Sequence, residues 1–478
     1  MSDKKNQNNR NRNRNRNRNK NKNKSKQQFF YQDKKNNKNE NKNENNRNRF
    51  PKEKHIKIDE YYYLYKENKN ISKFRTNIMD LISIDPKTQT EYLSSEKWIE
   101  KFEQESKARH SFELRNLRKE IILETLECIK KGSYFYKEEN GEKKEVKLDI
   151  ELLEKSKNQV KLYSDDKLLL SDLQKRNLKK FDTEIILYKG DCVDIAEIMY
   201  RQDLEKFAND PNVKLRAYTP VILNMASKKR PGGGFLTGAG AQEENLFRRS
   251  TFIYYQEQFK PFYPINKISN IYVPNVIFFR SNEKKGYKFM SEPLTFASIS
   301  AAAYSHPKLT EDNLIEEPIA TNFKSKMRII LATALLEFHE TIVLSAWGCG
   351  AFRCPPAHIA DLFYQVIFEP QFSGKFRKIA FGIFDDHNAK SVGNFIPFYN
   401  RFSSCKNFVY MGDKSYTGVD SSQILMDHSN QNENQIEIIN SNQNSKSNQN
   451  SNQNSNQNSN KNSNKKSNKK SNQNSNKN

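Results

Sequence analysis

Residues 224–251 read NMASKKRPGGGFLTGAGAQEENLFRRST, and this stretch decides the architecture. Asn224 follows a short apolar run at 220–223, the pattern of a buried strand. Pro231 then introduces Gly232, Gly233 and Gly234; Gly238 and Gly240 come next; Gln242, Glu243 and Glu244 open a helical segment. A second loop, Trp347-Gly348-Cys349-Gly350-Ala351-Phe352, follows another apolar run at 341–346. The two loops hold seven of the chain's 16 glycines, so the backbone itself has a task in both places. Glycine lets a ligand approach amide N–H groups closely, and two such loops at strand ends can wrap a diphosphate. Taken singly, a glycine-rich loop reads as a flexible turn, and Glu243 and Glu244 read equally well as acids capping a helix.

Strands and helices alternate outward from this stretch. Leu114, Leu117, Ile121, Ile122, Leu126 and Ile129 recur at helical spacing, and Lys130, Lys131 and Gly132 supply a helix end. Short apolar runs at 184–188, 220–223, 273–279, 295–301, 341–346, 378–384 and 408–411 predict strands. Helices are expected at 193–207, from 242, at 323–339 and at 355–368. Within 323–339 the core-facing stripe is Met327, Ile330, Leu331, Ala334, Leu335 and Phe338. This alternation predicts an α/β fold with a mixed, largely parallel sheet and helices on both faces, and a ligand site outside the carboxyl ends of the strands.

Composition marks where folding stops. Only 35% of the residues are hydrophobic, and the formal net charge is +24. Residues 1–54 carry 19 basic and 5 acidic side chains, residues 429–478 carry 7 and 2, and the middle keeps only +5. Such tails cannot bury enough apolar surface to offset the entropy of ordering. The expected organisation is a disordered basic tail at 1–54, a partly ordered extension at 55–105 with a helix from Ser94, a catalytic domain at 106–412, and a disordered tail at 413–478. The charged stretch 137–180 is expected as an insertion or mobile connection within the domain. The Arg-Asn run from Arg10 to Arg18 reads two ways, as a solvated low-complexity tail or as a weak phosphate binder for nucleic acid or polymer. The N-terminus lacks the apolar core of a secretory signal, no run of about 18 apolar residues suggests a membrane span, and five irregularly spaced cysteines do not suggest a disulfide framework. Nucleus or cytoplasm is the expected location.

Three glycines, a short spacer and Gln-Glu-Glu together resemble the signature of microbial-type poly(ADP-ribose) glycohydrolases; here seven residues separate Gly234 from Gln242. Residues 346–352 also resemble that family's phosphate loop, and the likeness runs from about residue 106 to 408. The resemblance implies a macrodomain-like three-layer α/β/α fold with N-terminal accessory helices. It implies Glu244 as catalytic acid/base and Glu243 as the residue holding ribose hydroxyls. Asn224 matches a ribose contact, and Gln242 belongs to the same signature. Gly232, Gly233 and Gly234, with Gly348, Cys349, Gly350, Ala351 and Phe352, match the diphosphate cradle. Phe384 and Asp191, each at a strand end, are further candidates for the ribose or adenine pocket, with a core aromatic as the alternative for Phe384. No cofactor or metal is implied. The implied partners are poly(ADP-ribose) and ADP-ribosylated proteins, and the protein is expected to be monomeric.

The chemistry suits these residue types. Cleaving a ribose–ribose O-glycosidic bond passes through an oxocarbenium-like state and needs a proton on the leaving oxygen. A glutamate beside an anionic diphosphate is expected to hold its proton more firmly, give it up, and then activate water. Adjacent glutamates cannot face each other across a bond, so one would act and the other position. Rival readings are a non-enzymatic ADP-ribose reader, a hydrolase of mono-ADP-ribose on protein or nucleic acid, and a nucleic-acid scaffold led by its tails. Cys349, Cys354 and His358 have metal-like spacing but no evident fourth ligand, and His387 reads as a polar loop residue.

Removing residues 1–54 and 429–478 takes away most of the charge and none of the candidate site. Turnover on short polymer should survive this trimming, while affinity for long polymer falls by an amount that shrinks as salt rises. Steady-state kinetics at two salt concentrations check this; loss of kcat in the folded, trimmed protein would give the tails a catalytic part.

Overall fold

Strand polarity and helical spacing place the core on both faces of one large sheet. The computed structural model describes residues 92–207, 215–385 and 393–412, all within the second of the chain's two units, Ile58–Asn478. Both tails, residues 55–91 of the extension, and His387 lie outside the described residues.

Helix α1 (Ser95–Lys107) is capped by Ser94, whose side chain accepts from the Lys97 N–H. Helix α2 (Ser111–Lys131) ends where the Gly132 N–H bonds the Cys128 and Ile129 carbonyls. The globular part therefore begins before residue 106: Trp98 of α1 is fully buried and donates its Nε1–H to the Leu117 carbonyl of α2 at 3.2 Å. A hairpin follows, β1 (Ser133–Lys137) paired antiparallel with β2 (Lys143–Lys147). Then come α3 (Ile150–Lys157), β3 (Lys161–Ser164), α4 (Asp166–Gln174), β4 (Glu184–Tyr188), α5 (Cys192–Phe207), α6 (Leu215–Tyr218), β5 (Val221–Met225), α7 (Gln242–Arg248) and α8 (Gln256–Phe259). The chain continues through β6 (Ser269–Arg280), β7 (Phe289–Ala301), α9 (Ile319–Leu336), β8 (Thr341–Leu344), α10 (Pro356–Ile367), β9 (Lys378–Gly382), α11 (Phe395–Phe402) and β10 (Phe408–Met411).

Eight strands form one mixed sheet in the order β10-β4-β9-β8-β5-β7-β6-β3. The pairings from β10 to β7 are parallel, and those of β6 with β7 and β3 are antiparallel. Alternate residues of each central strand point to opposite faces. Ile185, Leu187, Val221, Leu223, Ile342, Leu344, Ile379 and Phe381 join the layer that includes α4, α9, α10 and α11. Ile186, Ile222, Val343 and Ala380 join the layer that includes α2, α3, α5 and α7. The result is the expected three-layer α/β/α arrangement. Among the described residues no helix is long and apolar enough to cross a membrane.

Two expectations need correcting. The charged stretch 137–180 is not a mobile connection: β3 pairs with β6 at the sheet edge, and Leu153, Leu169 and Leu173 are buried. Its charges occupy the outer faces of α3 and α4, masking a short apolar stripe. Phe338 does not belong to the core stripe of α9; the helix stops at Leu336, Phe338 takes a left-handed φ of 66°, and its ring is 62% exposed beneath the Arg176 guanidinium.

The role of 137–180 is measurable. Leu153→Ala should destabilise the protein by about 2–5 kcal/mol, the cost of truncating a buried leucine. A denaturant midpoint unchanged from wild type would remove this segment from the core.

Candidate active site

Every parallel strand next to the centre of the sheet delivers a loop to one end of the molecule. There a cleft of about 320 Å³ opens, the size range of small-molecule sites. Gly190 and Asp191 reach it after β4, Met225 at the end of β5, Ala303 after β7, residues 345–348 and 350–352 after β8, and Phe384 and Asp385 after β9.

The glycine loop spans from β5 to α7. Phe235 and Phe247 pack beneath it with ring centroids 5.2 Å apart. Glu243 and Glu244, in the first turn of α7, are buried, at 3% and 9% exposure. Neither caps the helix; both turn back onto the loop. Glu243 accepts from the Ser227 N–H at 2.6 Å, the Gly232 N–H at 3.0 Å and Asn224 Nδ2 at 3.5 Å. Glu244 Oε1 accepts from the Gly234 N–H at 2.9 Å. A Cβ at Gly233, where φ is 54°, would overlap the Glu244 carboxylate, so only glycine lets the loop close over both acids. Burial, with the neighbouring Glu244 charge, pushes the Glu243 carboxyl up, against the three donors that favour its ionised form.

This arrangement alters one expectation about the triple glycine. Its N–H groups are not a free cradle for a diphosphate: Gly232 and Gly234 donate to the glutamates, and Gly233 donates to the Arg230 carbonyl at 3.2 Å. The loop holds the acids. Asn224 is 1% exposed, donates to Ser300 Oγ at 3.0 Å, and keeps a buried Oδ1 that has no hydrogen-bond partner among the described residues. Such an orphan acceptor is costly without a donor. Gln242 lines the cleft, but its amide is employed in the protein: it donates to the Leu223 carbonyl and accepts from the Met225 N–H, both at 2.9 Å. Asp191 also lines the cleft, holding Arg249 in a buried ion pair at 2.6 Å and accepting from the first N–H groups of α5.

In the second loop Gly348, Gly350, Ala351 and Phe352 line the cleft. Trp347 anchors it, fully buried, with Nε1–H on the Ala301 carbonyl at 3.1 Å. Cys349 departs from expectation. Its side chain points inward, its N–H is spent on the Ala346 carbonyl at 3.1 Å, and burial holds its thiol far above the usual range. Cys354 donates to the Tyr304 carbonyl and His358 Nδ1 accepts from the Ile315 N–H, so the three residues with metal-like spacing have separate employments. Phe384 is a cleft residue with Lys284 Nζ 4.4 Å from its ring centroid, rather than a core aromatic.

The cleft and the two glutamates are neighbours, not the same surface. Gln242 and Asn245 of α7 line the cleft, whereas Glu243, Glu244, Asn224, residues 232–234 and Cys349 do not. The sequence reading also missed Asn245, Asn282, Glu283, Lys284, Asp385 and Asn394, which do line it. The turn residues Asn282 and Gly286 around 283–285 were the one signal available for that wall.

Residues 123–281 match the family model described as microbial-type PARG, catalytic domain. Among curated proteins none matches. Solved structures that resemble the chain include a poly(ADP-ribose) glycohydrolase from Thermomonospora curvata bound to the inhibitor ADP-HPD. It is 26% identical, with 60% of this chain and 99% of that chain covered and a TM-score of 0.48. The poly(ADP-ribose) glycohydrolase of Deinococcus radiodurans in complex with ADP-ribose is also 26% identical, covering 54% of this chain and 100% of that one, with a TM-score of 0.43. The matched segment contains the glycine loop, both glutamates, Asn224 and Asp191, so over residues 123–281 this chain carries the catalytic-domain signature of microbial-type poly(ADP-ribose) glycohydrolases.

Proposed function

We propose that the protein hydrolyses the ribose–ribose O-glycosidic bonds of poly(ADP-ribose) and releases ADP-ribose. The observation that carries this reading is the pair of buried glutamates held by loop N–H groups beside a strand-end cleft. Acids that merely capped α7 would donate nothing to a reaction and would face its N–H groups instead. Glu244 acts as the acid and then the base. Glu243, with Asn224 at its side, receives the ribose hydroxyls, and the unpartnered Asn224 Oδ1 offers an acceptor for one of them. The second loop, with Gly348, Gly350, Ala351 and Phe352 on the cleft wall, receives the diphosphate, and Phe384 and Asp191 complete the pocket. Partners are then the polymer and the proteins that carry it, in nucleus or cytoplasm, with the basic tails adding phosphate contacts.

Incubating purified protein with labelled polymer should release ADP-ribose, and absence of release would overturn the proposal. Glu244→Ala should lower turnover by about 10²–10⁴-fold, the usual cost of removing a general acid/base, while ADP-ribose still raises the melting temperature. Near-wild-type turnover in that variant would move the chemistry elsewhere.

ADP-ribose at about 100 times its Kd should stabilise the fold by about 2.7 kcal/mol. Because backbone amides hold the diphosphate, the shift in Tm should be the same with and without a chelator. A shift abolished by chelation would place a cation in the site.

A further inference from the structure

The glycine loop is gripped from outside the cleft by three arginines on three successive carbonyls. Arg115 of α2 donates to the Thr237 carbonyl at 3.2 Å, Arg118 of α2 to the Gly238 carbonyl at 3.4 Å, and Arg248 of α7 to the Ala239 carbonyl at 2.6 Å. Two of the three come from a helix more than 100 residues earlier in the chain. Glu283 links two of them, Arg118 and Arg248: it takes a bidentate pair from Arg118 at 2.7 and 2.8 Å, lies 3.7 Å from Arg248, and accepts from the buried Tyr287 hydroxyl at 2.9 Å. Burial works against the Glu283 charge, but Arg118 and Arg248 outweigh it and hold the carboxyl below its usual range.

The grip reaches Glu244 through two peptide units. The Ala239 N–H, in the same peptide as the Gly238 carbonyl, donates to the Gly234 carbonyl at 3.2 Å; Thr237 adds its N–H at 2.9 Å and its hydroxyl at 2.8 Å to that oxygen. The Gly234 N–H then holds Glu244. Two spacer glycines fit the same contact. At Gly238 (φ 68°) a Cβ would overlap the Arg115 carbonyl, and at Gly240 it would come within 2.7 Å of the Arg118 guanidinium carbon. The close approach of α2 therefore needs glycine at 238, while a side chain at 240 would displace the Arg118 guanidinium.

We propose that Arg118 is a positioning residue for Glu244, with Glu283 fixing its guanidinium, so that α2 is a working part of the catalytic apparatus rather than only an accessory support. Arg118 touches neither acid by hydrogen bond and acts through the Gly238–Ala239 peptide and Gly234. Burial works against the Arg118 charge; Glu283 chiefly offsets it, with Tyr287 and Glu244 adding smaller contributions. The inference rests on the proposed hydrolysis.

The test is a double-mutant cycle in the full-length protein, read as single-turnover rates on labelled polymer. Arg118→Met should lower the rate by about 10- to 100-fold, the scale of a misplacement of about 1 Å, with the Kd for ADP-ribose changed by less than about threefold. Arg118→Lys, which keeps the charge but loses the bidentate fork, should fall between. In a Glu244→Ala background, Arg118→Met should add nothing, because a positioning residue has nothing left to position. Gly240→Ala pushes on the guanidinium from the other side and should reproduce the Arg118→Met split of rate against binding; it decides the matter if Arg118→Met does not fold. Multiplicative losses in the double mutant, or an unchanged rate in folded Arg118→Met and Gly240→Ala proteins, would overturn the inference. An inactive wild type would instead overturn the hydrolase reading.

Discussion

A carboxylate removed from water must be given donors, and two neighbouring carboxylates must be given them twice in the same small volume. Glu243 and Glu244 meet that constraint chiefly with backbone N–H groups from Ser227, Gly232 and Gly234, with Asn224 Nδ2 the only side-chain donor to either among the described residues. Side-chain donors would bring bulk into the space a substrate needs, whereas amides of glycine bring none. The loop must fold back on its own helix to deliver them, and it can do so only where no Cβ intervenes, as at Gly233. Much of the surrounding construction follows from this single requirement. The phenylalanines beneath the loop, the arginines outside it and the anchored strand end before it all restrict a segment that its glycines would otherwise leave slack.

The sheet supplies the second ingredient, convergence. Parallel neighbours all end on the same side, so loops distant in sequence meet there without long excursions. Asn224 of β5 stands opposite Ser300 of β7 in register, and the bond between their side chains ties the acidic loop to the strand that leads toward Ala303. The Asp191–Arg249 pair does the same between the start of α5 and the end of α7, and its burial makes loss of either partner expensive, on the order of 3–5 kcal/mol.

How much was legible in the sequence depends on whether a residue's task leaves a local pattern. Short apolar runs made β4, β5, β8, β9 and β10 readable, and helical spacing made α2, α5, α9 and α10 readable. The glutamates stood out because glycine spacing is itself a local pattern. Residues 137–180 suggested a mobile connection as one alternative because α3 and α4 bury few side chains each, Leu153 and Ser156, Leu169 and Leu173, under a charged exterior. Phe338 was misplaced because helical spacing continues on paper after the backbone has turned left-handed. The hydrogen-bond employments of Gln242, Cys349 and the triple glycine depend on which carbonyl or carboxylate the fold brings near, and Glu283 meets Arg118 only through contacts 165 residues apart. No window of sequence contains that information.

Gln242 has a consequence beyond the cleft. By bonding the Leu223 carbonyl and the Met225 N–H, it closes the segment from β5 to α7 into a ring pinned at its base. The Lys228 and Lys229 side chains are exposed on this ring, while the Lys228 carbonyl accepts from the Ile265 N–H at 2.9 Å. Those two exposed side chains are therefore where evolution or an engineer can recharge the approach to the glutamates while the strand, the helix and the acids keep their places.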